Sequence, residues 1–72
     1  MAFEYSKLIG FIVEKYGTRR AFAEALGWTD TKLSARLNNA VPFSTVEINQ
    51  VCALLGIPDE DIAAYFFTPK VR

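Results

Sequence analysis

Seventy-two residues with eight basic and eight acidic side chains, no histidine and one cysteine leave room for one small domain, predicted over residues 1–72. At 51% hydrophobic and 14% aromatic the chain is too apolar for disorder, and large side chains are how so short a domain offsets chain entropy. No apolar run approaches the roughly 18 residues that span a bilayer, no signal peptide is expected, and the lone Cys52 fits a reducing cytoplasm.

The period of the apolar residues is helical throughout. Leu8, Ile12 and Tyr16 recur every four residues and predict a first helix over Tyr5–Tyr16, stopped by Gly17. Thr18 is placed to cap a second helix, Arg19–Leu26, by accepting a hydrogen bond from an orphan amide in its first turn. After Gly27, Thr29 offers the cap of a third helix, Asp30–Asn38, with Leu33 and Leu37 facing inward. Asn38-Asn39 suits a left-handed exit, and Pro42 forbids continuation. Ser44 and Glu47 form a capping-box pattern ahead of Ile48, Val51, Cys52 and Leu55, a fourth helix closed by Gly56. Pro58 and the acidic run Asp59–Asp61 suit the start of a fifth helix ending near Phe67. The predicted class is all-α, with five short helices.

The zero net charge conceals a polarised chain. Between Lys15 and Ala40 lie Lys15, Arg19, Arg20, Lys32 and Arg36 against only Glu24 and Asp30, whereas Val41 to Tyr65 carries only Glu47, Asp59, Glu60 and Asp61. A local basic face can bind phosphate even when the whole is neutral.

The segment Arg19–Asn38 has the requirements of a helix-turn-helix: small Ala23 and Gly27 where two helices cross, and Phe22, Leu26, Leu33 and Leu37 as the wedge that sets their angle. With Phe22-Ala23, Leu26-Gly27, Leu33, Leu37-Asn38-Asn39, Val41-Pro42-Phe43 and the Ser44 cap, the chain resembles the phage Cro and repressor (Xre-type) helix-turn-helix family, in particular small repressor-like proteins of Gram-positive phages. Such proteins usually carry an apolar residue where this chain has Arg36, and often a glutamine in place of Arg19.

The resemblance implies a lambda-repressor-like domain that binds an operator in double-stranded DNA, its third helix in the major groove, as a transcriptional regulator. Thr31, Ser34 and Ala35 would then reach base edges, with Lys32 beside them. Asp30 has two readings, acceptor from a cytosine amine or partner of the helix dipole. Arg19, Arg20, Thr29, Arg36, Asn38 and Asn39 would hold phosphate, Asn38 being equally suited to a helix cap. Operator-binding proteins of this kind usually pair on two half-sites, which makes a homodimer the expected state on DNA and Phe66, Phe67 and Val71 its expected interface, unless the phenylalanines fill the monomer's own core. Trp28 packs on the body or stacks on a base, and Cys52 reads as a small buried hydrophobe.

Two other classes bear on the choice. An enzyme is disfavoured by the absence of histidine, of a glycine-rich phosphate loop and of a metal-ligand set, and no cofactor, metal or small-molecule substrate is expected. The stronger alternative is a protein-interaction module on the same fold, such as an antirepressor or a regulator's partner. A DNA binder needs Arg19, Arg20, Lys32 and Arg36 together on one face; a partner-binding module shows an apolar groove there.

Overall fold

A computed structural model describes residues 3–69, among which five α-helices follow one another: α1 (Ser6–Tyr16), α2 (Arg19–Leu26), α3 (Asp30–Leu37), α4 (Thr45–Leu55) and α5 (Ile62–Phe66). Strand-like pairing among the described residues is confined to an isolated antiparallel bridge between Phe3 and Pro69. The all-α class with five short helices is the fold of this chain.

The helices start where side chains satisfy their orphan amides. Thr18 Oγ1 accepts from the Ala21 amide at 3.1 Å, and Thr29 Oγ1 accepts from Lys32 at 3.0 Å. Ser44 and Glu47 close the full capping box, the Glu47 amide donating to Ser44 Oγ at 3.1 Å and the Ser44 amide to Glu47 Oε1 at 3.0 Å. The turn between α2 and α3 depends on Gly27, whose φ of 78° is left-handed and would strain any side-chain-bearing residue. At the far end of α4, Lys15 Nζ and Tyr16 Oη of α1 donate to the Leu55 and Leu54 carbonyls, at 3.2 and 3.4 Å. Lys15, counted by sequence with the basic middle, is thus turned onto a helix C-terminus, where positive charge is favoured.

The acidic run departs from its expected form. Asp59–Asp61 makes a 3₁₀ turn, closed by the Asp61 amide on the Pro58 carbonyl at 2.9 Å, and α5 begins only at Ile62. Tighter turns of this kind are common at helix starts.

One cluster of buried side chains joins the elements: Leu8 and Ile12 of α1, Phe22 and Ala23 of α2, Leu33 and Leu37 of α3, Val51, Cys52 and Leu55 of α4, with Tyr5, Ile57 and Phe66. Burying a side chain such as Phe22 or Leu33 stabilises by about 1.5–3 kcal/mol each, and truncating Phe22 to alanine would remove about 3–5 kcal/mol. Ala23 is almost fully buried, as close approach of α2 and α3 requires. Leu26, expected in the same wedge, is only half-buried and packs on the cluster's edge.

The two terminal phenylalanines part company. Phe66 is 1% exposed and belongs to the core, so it cannot meet a partner as the sequence suggested, whereas Phe67 is 47% exposed. Phe66 is the last residue of α5 and turns into the core, whereas Phe67 is its C-cap, with φ −124°, where the chain leaves the helix. Val71, the third residue expected at an interface, lies outside the described residues. Among the described residues no helix is long and apolar enough to cross a membrane.

Candidate interaction face

The exposed arc of α3 is smaller than the sequence implied. Asp30, Thr31 and Asn38 face solvent, but Ser34 and Ala35 are half-buried. The chain after α3 folds back on them: the Ala40 and Val41 amides both donate to the Ala35 carbonyl, at 2.9 and 3.2 Å. Thr29 is occupied in capping. Asn39 adopts the left-handed conformation (φ 65°) and turns its amide onto the N-terminal segment, donating to the Phe3 carbonyl at 2.8 Å and accepting from the Phe3 amide at 3.0 Å. Its polar atoms are thereby engaged within the fold.

The cations of α3 lean toward Glu47 of α4, Arg36 part-buried and Lys32 with its side chain 40% exposed. Arg36 Nε and Nη2 donate to the two carboxylate oxygens of Glu47, both at 3.0 Å, and Nη1 donates to the Lys32 carbonyl at 3.3 Å. Its side chain is 16% exposed. Lys32 Nζ lies 3.7 Å from Glu47 Oε2 and 4.5 Å from the ring centre of Trp28. One carboxylate therefore serves three partners: the α4 cap, a bidentate guanidinium and an ammonium. These hydrogen bonds and neighbouring charges hold the Glu47 carboxyl well below its usual range, at about 2, the Arg36 bond being the largest cause and the Ser44 amide the next.

This arrangement accounts for the departure at Arg36. Its position is semi-buried, as an apolar residue's would be; the stem packs and the guanidinium finds a carboxylate on the next helix. Sequence reasoning assigned Glu47 only to the cap. The available signal was Arg36 itself, a charge at an inward position, which requires an acidic partner nearby.

Arg19 and Arg20, by contrast, are exposed at the start of α2 and make no ion pair or side-chain hydrogen bond among the described residues. The four cations expected to act together thus divide into an exposed pair on α2 and a neutralised pair on α3.

Beyond the end of α3 lies an apolar groove of about 320 Å³. Its walls are Phe3, Tyr5, Pro42, Phe43, Ile48, Phe66 and Phe67 with the polar Asn39, and no charged side chain is among its lining residues. Phe43 is packed edge-on between Tyr5 and Phe66, with ring centres 5.5 and 5.2 Å away, and Phe3 meets Phe67 edge-on at 5.6 Å. Among the described residues four large hydrophobic ones are exposed: Phe67 in this lining, Val41 and Val46 in the segments flanking Pro42-Phe43, and Val13 on α1. An exposed aromatic ring at the edge of an apolar groove is a surface of the kind that marks contact sites, whereas single exposed valines are ordinary.

Fold and surface together define a small all-α domain with its α3 cations neutralised and an uncharged aromatic groove beside them. The chain belongs to the family described as "Protein of unknown function (DUF739)", which it matches over residues 1–69. It is also similar to a solved structure, the solution structure of the modulator of repression (MOR) of the temperate bacteriophage TP901-1 from Lactococcus lactis. The two share 39% identity with a TM-score of 0.84, over 100% of this chain and 97% of that one. No curated protein matches.

These findings correct the expectation drawn from the Cro and repressor resemblance. The family is a different one, and the similar structure is named as a modulator of repression, not as a repressor. The assignment as a Cro-like DNA-binding repressor is therefore withdrawn, and with it the operator duplex and the homodimer on DNA as expected partners. Physically, a helix meant for the major groove would carry its Lys32 and Arg36 outward, and here both are turned onto Glu47.

Proposed function

We propose that this chain is a phage regulatory protein that acts by binding another regulator, a repressor-type protein, without catalysis and within the cytoplasm. The observation that carries the reading is the likeness, end to end, to a modulator of repression. The pairing of the α3 cations with Glu47 supports it, because a cation already facing a carboxylate has less attraction for phosphate. The uncharged groove supports it as well: it suits apolar side chains of a protein partner and offers nothing to a polyanion. On this reading Asp30, Thr31, Ser34 and Ala35 line the partner-facing side of α3, and Phe67 adds an apolar contact.

Titration of the purified chain into the repressor encoded in the same genetic element tests the proposal. Trp28, the single tryptophan, lies against α3 and reports events there by fluorescence. A saturable complex with a shift in Trp28 emission is expected. Absence of any complex with that repressor, whether free or on its operator, would overturn the reading.

A further inference from the structure

Building on that reading, we propose that Glu47 is the specificity determinant that withholds α3 from DNA, leaving the helix free for a protein partner. An exposed Lys32 and Arg36 on one side of α3 would attract phosphate, since each phosphate neutralised releases condensed counterions. Glu47 competes with phosphate for both, binding Arg36 directly and drawing on Lys32 by charge. It holds Arg36 through two hydrogen bonds of 3.0 Å and draws Lys32 to within 3.7 Å. Trp28 keeps both cations over its ring, Lys32 at 4.5 Å and Arg36 at 5.8 Å.

The carboxylate is fixed independently of the cations it binds. Glu47 sits in the first turn of α4 and accepts from the Ser44 amide at 3.0 Å, so its position follows from the capping box. A bidentate guanidinium–carboxylate pair at a part-buried site is among the stronger surface interactions and exchanges poorly for a solvated phosphate. Exposed on α3 are Asp30, whose charge repels phosphate, Thr31 and part of the Lys32 side chain. The face thus discriminates by an unfavourable term against nucleic acid as well as by attraction to its partner.

The test compares wild type with Glu47→Gln, which keeps the capping box and the side-chain shape, and with Glu60→Gln, which makes the same charge change at an exposed site in the 3₁₀ turn. Anisotropy titrations of a labelled random-sequence duplex at two salt concentrations are the readout, with circular dichroism confirming folding. Wild type and Glu60→Gln are expected to bind weakly and alike. Glu47→Gln should bind more tightly at low salt, its log–log salt slope steeper by about 0.9 for each cation released.

If Glu47→Gln does not fold, Arg36→Leu and the double variant Arg36→Leu/Glu47→Gln replace it, leucine filling the half-buried position. The double variant should then exceed Arg36→Leu by the slope of one cation, Lys32. Equal DNA binding by Glu47→Gln and Glu60→Gln, or by the double variant and Arg36→Leu, would overturn the proposal. The assay contains no regulator, so failure to find a protein partner leaves this result standing, and the reverse also holds.

Discussion

Asn39 holds Phe3 as a neighbouring strand would, its side-chain amide donating to the Phe3 carbonyl at 2.8 Å and accepting from the Phe3 amide at 3.0 Å across 36 residues of sequence. It does so from a left-handed backbone that asparagine tolerates better than most residues. Asn39→Ala should lose both bonds and pay the left-handed strain, about 2–4 kcal/mol in total. Asn39→Gly keeps the backbone and loses only the bonds, so about half that is expected. Urea unfolding of the two variants separates the contributions; equal losses would mean that the conformation costs nothing.

Glu47 predicts the acid behaviour of the domain. Its folded pKa of about 2 lies below the ordinary value of 4.5, so the unfolded chain takes up the proton first. The stability contributed is complete above pH 4.5 and is lost as pH falls from there toward 2. Melting temperatures recorded across that window should fall more steeply for wild type than for Glu47→Gln, which starts lower at pH 7 and has no such carboxyl to titrate. Parallel curves would remove Glu47 from the account of acid unfolding.

The pair Phe66 and Phe67 separates folding from contact. Phe66→Ala should cost about 3–5 kcal/mol, a large part of the roughly 4–11 kcal/mol available to a domain of this size. Phe67→Ala should cost about 1 kcal/mol, the edge-on contact with Phe3 being its main loss. Affinity for the regulatory partner should nonetheless fall with Phe67→Ala, because that ring faces the groove's mouth. A Phe67→Ala protein with unchanged partner affinity would move the contact elsewhere.

Cys52 should be chemically silent in the folded state. It is 7% exposed, and burial pushes its thiol pKa up, with the Asp59 charge adding to the effect. A thiol reagent at pH 8 should modify it only through opening of the core, at a rate that climbs with urea in step with unfolding. Prompt modification in the absence of denaturant would place Cys52 at the surface.

What the sequence made legible was local. Thr18, Thr29 and Ser44 announce their helices because a cap is written within four residues of the amide it satisfies, and the left-handed exit at Asn39 is a property of that residue type. The Arg36–Glu47 pair spans 11 residues and two helices, and it depends on how α3 seats against α4, which no periodicity reveals. The division of Phe66 from Phe67 turned on the exact start of α5, displaced by the 3₁₀ turn before it. Function was misjudged for the same reason. Counting Lys32 and Arg36 as available charge was sound along the chain and failed in space, where one carboxylate had already claimed both.

The bridge between Phe3 and Pro69, with the Glu4 amide donating to the Thr68 carbonyl at 2.8 Å, has a consequence for biosynthesis. A nascent chain whose last emerged residue precedes Thr68 can already hold Phe3 through Asn39 but lacks the second tie, from the Glu4 amide to the Thr68 carbonyl. The aromatic groove, which takes walls from both Phe3 and Phe67, is equally incomplete until then. The surface most suited to a partner thus takes its walls from segments far apart in sequence, and it is complete only once the Phe66–Phe67 segment has docked beside Phe3 and Phe43.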